Sequence, residues 1–168
     1  MNAKTLTVLL IVGSIIVLDQ MTKEIVARTL PLHESVPVLD AFFHLTHERN
    51  TGAAFSLLAQ APAWFRQPFF LVATGVAVVA LIFFLRQTDS TSRLVIVAIA
   101  AILGGALGNL IDRIRYGEVV DFLLFHWSGY YWPAFNVADS CITVGVIVLL
   151  WSSLREHRTQ SGRDFSVS

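Results

Sequence analysis

Leu94-Val95-Ile96-Val97-Ala98-Ile99-Ala100-Ala101-Ile102-Leu103-Gly104-Gly105-Ala106-Leu107-Gly108-Asn109-Leu110-Ile111 is an unbroken run without a charge. As a helix rising about 1.5 Å per residue it measures about 27 Å, close to the hydrocarbon thickness of a bilayer. A second uncharged run of the same length extends from Pro68 to Leu85. Leu6 to Leu18 is a shorter uncharged run, about 20 Å as a helix, so a span starting there must continue through Asp19 and Lys23 to Val26. A fourth span is predicted from Val137 to Leu154, with Asp139 near its start. Spans at about 6–26, 68–85, 94–111 and 137–154 make this an all-α integral membrane protein.

The rest of the composition agrees. Only 14% of the 168 residues are charged and 55% are hydrophobic, where soluble domains carry about 25% charged residues. Mean hydropathy is +0.65. Twelve Lys and Arg balance twelve Asp and Glu, so no net field draws the chain to nucleic acid. One cysteine, Cys141, rules out an internal disulfide framework, and no Cys/His array has zinc spacing. Neither a metal nor any other cofactor is called for. For the first span a cleaved signal peptide is the alternative, since Lys4 precedes its apolar stretch. Against it, no small-x-small site follows Leu18.

Four spans place both termini on one side. With the termini cytoplasmic, the short segments 1–5, 86–93 and 155–168 hold six Lys and Arg, and the far longer segments 28–66 and 113–136 hold only five. That density favours termini inside. Residues 156–168 are polar and predicted to be a disordered cytoplasmic tail. The outer segments, 29–66 and 113–136, are more than connections. Val36 to Leu39 and Phe42 to Thr46 are β-prone and predict a small extracytoplasmic sheet. Ala53 to Phe65 is apolar but too short to span, and reads as an interfacial helix on the membrane surface. The 113–136 segment reads as a loop whose Trp127, Tyr130, Tyr131 and Trp132 suit the headgroup level.

In this orientation the polar residues of the spans share one depth. Asp19 and Lys23 lie toward the outer end of the first span, Asn109, Asp112 and Arg113 end the third, and Asn136 and Asp139 begin the fourth. An ionisable group in a membrane needs a partner or a wet cavity. Asp19 and Lys23, spaced i, i+4, read first as a structural ion pair. Asn136 and Asp139 also fit an N-cap with an acidic N3 residue. Capping leaves Asp121 unexplained, a carboxylate set in Val119-Val120-Asp121-Phe122 on the same side. Gly104 and Gly108 read as a packing face rather than a phosphate loop.

Two carboxylates sharing a poorly hydrated pocket do not both ionise cheaply. One keeps a proton while the other acts as general base, and such a pair hydrolyses an amide without metal. Asp139, at a helix N-terminus, is expected to be the ionised member and Asp121 the protonated one. Other chemistries are weaker: Ser56 lacks a nucleophile elbow, and His44, His47 and Glu48 form only a sparse metal set. A proton relay would need polar groups through both leaflets, and a purely structural bundle would need neither acid.

Five motifs also carry a resemblance. Asp19-Gln20-Met21-Thr22-Lys23, Arg49-Asn50-Thr51-Gly52-Ala53-Ala54-Phe55-Ser56, Gly104 to Arg113, Val119-Val120-Asp121-Phe122 and Phe135-Asn136-Val137-Ala138-Asp139-Ser140 occur in order. In these the chain closely resembles bacterial lipoprotein signal peptidases, the type II signal peptidases. The resemblance implies an aspartic peptidase of the bacterial inner membrane, with Asp121 and Asp139 as the dyad. By the same resemblance it is expected to cut diacylglyceryl-modified prolipoproteins just before the lipidated cysteine. Asn50 and Arg113 are implied to hold the substrate backbone, and Asn109, Asn136 and Ala138 to complete the substrate-binding site. Asp19, Lys23, Asp112 and Gly52 are implied to support it. Expected partners are the lipid-modified substrate, membrane lipids and the inhibitor globomycin. Ala53 to Phe65 and the 113–136 segment are expected to cover the pocket.

Overall fold

The computed structural model describes residues 2–52, 58 and 60–164, without the side chains of 156–164. In chain order the elements are α1 (Ala3–Thr29), β1 (Ser35–Leu39), β2 (Phe43–Asn50), α2 (Ala63–Gln87), α3 (Arg93–Tyr116), β3 (Val119–Trp127), β4 (Tyr130–Tyr131) and α4 (Val137–Asp164). The four predicted spans are four helices, each long and apolar enough to cross a membrane.

Their ends differ from the hydropathy limits because capping and packing set them. Helix α1 opens on Asn2, whose Oδ1 accepts from the Thr5 amide at 2.8 Å. Helix α2 starts at Ala63 rather than Pro68, with Pro62 as its N-cap; Pro68 sits inside the helix and forgoes one backbone bond near its start. Ala63 to Phe65 therefore open α2 and are not part of a separate interfacial helix. Residues 53–57 and 59 of that expected helix lie outside the described residues. At its far end α2 is capped from α1, Lys4 Nζ donating to the Leu85 and Thr88 carbonyls at 2.6 Å each.

Helix α3 continues past Ile111 to Tyr116 and ends on Gly117, whose φ of 75° lets its amide turn back to the Arg113 carbonyl. Helix α4 runs to Asp164, so the backbone of 156–164 is helical where a disordered tail was expected, and residues 165–168 of that tail lie outside the described residues. A nucleated helix gains one bond per added residue, and no proline interrupts this stretch.

Helix α3 is the buried member, packed on both α1 and α4. Its small residues allow the close approach. A Cβ on Gly105 would meet the Ala138 carbonyl, and one on Gly108 would lie 2.7 Å from Asp19 Oδ2. Gly108→Ala is expected to lower stability by about 1–3 kcal/mol through overpacking, read as a lower melting temperature in detergent. By contrast Val72, Val76, Val79 and Phe83 of α2 are about two-thirds exposed, an outward apolar surface suited to lipid.

At one end of the bundle an antiparallel sheet runs in the order β1-β2-β3-β4. The β1–β2 hairpin is the one predicted. Strands β3 and β4 lie within the expected 113–136 loop, and the Val, Leu, Phe and Trp content of 119–127 is β-prone where β3 forms.

Candidate active site

A β-bulge decides which residues of β2 face the site. Leu45 pairs with Leu123, but Glu48 pairs with Asp121, so β2 spends three residues where β3 spends two. One extra residue reverses the alternation of side chains. Glu48 and Asn50 thereby join Val119 and Asp121 on the cavity face. Thr46 and His47 are buried at the bulge, where Thr46 Oγ1 donates to the Glu34 carbonyl and His47 Nδ1 faces the Leu30 carbonyl.

On that face Asp121 accepts from Asn50 Nδ2 through Oδ2 at 3.0 Å and from Asn136 Nδ2 through Oδ1 at 2.8 Å. It is 2% exposed. Burial, and then the negative charge of Asp139, push its pKa up to about 7; the two amide donors oppose the shift.

Asp139 enters from the first turn of α4. Its amide donates to Asn136 Oδ1 at 2.9 Å, and the Asn136 amide returns to Asp139 Oδ2 at 3.3 Å. This is a reciprocal capping box. The cap and the site are the same structure, because Asp139 Oδ1 also accepts from Asn109 Nδ2 at 2.8 Å. Asn136 thus touches both acids, one through its side chain and the other through its backbone.

Behind these residues lies a buried polar layer between α1, α3 and α4. The expected Asp19–Lys23 pair forms at 2.8 Å, and Lys23 Nζ also reaches Asp112 Oδ2 at 2.9 Å and donates to Asn109 Oδ1 at 2.9 Å. Asp19 Oδ1 accepts the Ala138 amide at 2.9 Å. Gln20, which motif reading alone does not single out, donates through Nε2 to Asp112 Oδ1 at 2.8 Å.

A cavity of about 710 Å³ opens in front, with Glu48, Asn50, Asn109, Arg113, Asp121 and Asp139 among its polar lining and Trp132, Phe135, Ile142 and Val144 among its apolar lining. Asn136 and Ala138 do not line it. Both, expected among the substrate-binding residues, are fully buried in this structure. Arg113 stacks on Phe70 at 5.0 Å and donates through Nη2 to the Gly52 carbonyl at 3.1 Å, tying the end of β2 to α3. Gly52 itself donates its amide to Asn50 Oδ1 at 2.9 Å.

The competing residues go elsewhere. His44 Nε2 is 3.0 Å from His126 Nε2, and Glu48 Oε2 is 3.0 Å from His33 Nδ1, so His44, His47 and Glu48 serve three separate partners. Ser56 lies outside the described residues. The buried polar side chains among the described residues gather at the sheet end of the bundle, which is not the through-going series a proton relay requires.

Known proteins are similar to the chain along most of its length. The family model described as signal peptidase (SPase) II matches residues 11–155. The lipoprotein signal peptidase of Syntrophotalea carbinolica is 52% identical over 148 residues, 88% of this chain and 91% of that one. That of Geobacter sulfurreducens is 48% identical over 151 residues, 90% and 92% of the two chains. A solved bacterial membrane enzyme superposes with a TM-score of 0.82 at 37% identity, covering 90% of this chain and 89% of its own. With four membrane helices, matching sequence over nearly nine-tenths of its length and the same fold, the chain belongs to the signal peptidase II family: it is a multi-pass membrane aspartic peptidase.

Proposed function

We propose that Asp121 and Asp139 are the water-activating pair of this peptidase. Its substrates are prolipoproteins already carrying diacylglycerol on the lipobox cysteine, and it cuts the amide bond just before that cysteine. The observation that carries the reading is that both acids line one cavity, with Asp121 poised near pH 7 by burial and by its neighbour's charge. Asp139 is the ionised member: it takes a proton from water as the oxygen attacks the scissile carbonyl. Asp121 is the protonated member and donates a hydrogen bond to the carbonyl oxygen as negative charge builds there. The C–N bond then breaks as a proton passes from the acid pair to the departing amine. One water is consumed, leaving a carboxylic acid on the signal peptide and a free amine on the lipidated cysteine.

The layout of the cavity supports a lipid-bearing substrate. Its polar groups receive the peptide backbone, Asn50 and Arg113 among them, while Trp132, Phe135, Ile142 and Val144 offer apolar contact. Acyl chains stay among membrane lipids, and the anchor parks the bond at the acids. We place the enzyme in the bacterial inner membrane with both termini cytoplasmic and the site at the outer leaflet, as the Lys and Arg densities favour. Globomycin is expected to bind in the same cavity with a hydroxyl between the two acids.

The test is cleavage of a diacylglyceryl-modified peptide beside its unlipidated twin by the purified enzyme. The lipidated peptide is expected to be cut before its cysteine and the twin to remain whole. Equal cleavage of both, or cleavage at another bond, overturns the substrate assignment. The same assay run against pH reads the acid pair. Asp121 holds its proton below about 7 and loses it above, so kcat is expected to fall as pH rises through that value. A rate still climbing well above pH 7 contradicts the role given to Asp121.

A further inference from the structure

Lys23 is 3% exposed and does not line the cavity. An ammonium has three N–H donors and no acceptor, and here three oxygens meet it at 2.8, 2.9 and 2.9 Å, from Asp19, Asp112 and Asn109. Each oxygen begins an arm that ends beside a reacting acid. Asp112 Oδ2 also accepts the Val120 amide at 3.2 Å, one residue before Asp121 in β3. Asn109, with Oδ1 turned to the ammonium, must present Nδ2 to Asp139. Asp19 accepts the amide of Ala138, one residue before Asp139 in α4. Gln20 steadies the first arm, donating to Asp112 Oδ1 at 2.8 Å and to the Gly108 carbonyl at 3.2 Å.

We propose that Lys23 is a positioning residue of the peptidase: one buried ammonium, acting through Asp112, Asn109 and Asp19, sets the separation between the strand carrying Asp121 and the helix carrying Asp139. This goes beyond a brace for α1, and it rests on the reading of the two aspartates as the reacting pair. An apolar brace would hold the helices together but would not orient the Asn109 amide, whose two ends are nearly equal in shape. The cation at Oδ1, 2.9 Å away and closer than the Asn136 Nδ2 that also donates there at 3.2 Å, removes that ambiguity. Lysine suits the place because its donors radiate from a single atom, whereas a guanidinium spreads them over a plane. Two acids that share one water tolerate little change in spacing, and a misplacement of about 1 Å costs about 100-fold in rate.

The experiment measures kcat and KM against pH for the full chain in detergent with a diacylglyceryl-modified peptide, comparing Lys23→Met, Lys23→Arg and Gln20→Leu. Lys23→Met is expected to lower kcat about 100-fold with KM within about twofold, and Lys23→Arg, which keeps the charge, is expected not to restore it. Gln20→Leu alters no charge and removes the donor shared by Asp112 Oδ1, the Gly108 carbonyl and Asp19 Oδ2, the last at 3.3 Å. It is expected to lower kcat with KM unchanged and to move the alkaline limb to lower pH, because Asp121 ionises more readily as it recedes from Asp139. A smaller folded fraction scales the rate equally at every pH and leaves that limb in place. Parental kcat and pH profile in Lys23→Met overturn the proposal. Where that variant does not accumulate, an unmoved limb in Gln20→Leu overturns it. Turnover by Asp121→Asn or Asp139→Asn would instead refute the acid pair itself. Inactive aspartate variants beside an unaffected Lys23→Met would refute this inference alone.

Discussion

Asp121→Asn and Asp139→Asn are each expected to lower kcat by about 1000-fold or more, since general acid and general base each contribute about 100- to 10,000-fold and the pair works as a unit. The amide orientations around the acids make the substitutions more than a change of charge. Asn50 cannot flip to suit an amide at position 121 without losing the Gly52 amide at its Oδ1, and Asn136 cannot flip without losing the Asp139 amide. The Asp121→Asn variant therefore sets one NH2 group against another. A melting temperature lowered to match about 1–3 kcal/mol is expected beside the loss of activity. Asp139→Asn meets the same conflict less severely, because its second donor, the Asn136 amide, is 3.3 Å away. Cleavage of lipidated peptide by each variant, normalised to folded protein, is the measurement. Turnover within about tenfold of the parent in either variant would remove the acid pair from the mechanism.

Asn136→Ser is expected to lower kcat by about 100-fold, the loss associated with one preorganised donor at a reacting group, while changing stability much less than the activity implies. Serine caps a helix about as well as asparagine, so the bond from the Asp139 amide survives. What disappears is the Nδ2 that meets Asp121 Oδ1 at 2.8 Å, with weaker contacts to the Asn109 and Val120 oxygens at 3.2 Å. If capping were the whole role of Asn136, Ser and Asn would support equal rates. Comparing Asn136→Ser with Asn136→Ala separates the two contributions. Both lose the donor, but only alanine also forfeits the cap, worth about 1 kcal/mol. Equal activity in Asn136→Ser and the parent would return Asn136 to a purely structural part.

Much of the site is legible in the chain because its residues sit in regular helices, where spacing alone predicts which side chains share a face. Asp19 and Lys23 at i, i+4 form their pair, and Asn136 with Asp139 forms the capping box that the spacing suggests. Two features are harder to read. The segment that forms β3 reads as a loop despite its β-prone composition, since an apolar stretch bracketed by charges and aromatic residues does not announce its partner strand. Gln20 lies inside a quoted motif, but a single glutamine carries no period that would point it at Asp112.

That four apolar stretches must lie in hydrocarbon, and that the charges among them must congregate at one depth, can be read from the chain alone. Both follow from the cost of stranding polar groups in lipid, and that cost depends only on composition and length. How the acids are dressed depends instead on the packed fold. The bulge between Leu45 and Glu48 swings Asn50 rather than Arg49 toward Asp121, and strand register is a property of two segments paired, not of either alone. In the same way Lys23 reaches Asp112 and Asn109 because Gly105 and Gly108 let three helices close to within side-chain reach. A distance between helices is set by the packing of their surfaces, which no single segment encodes.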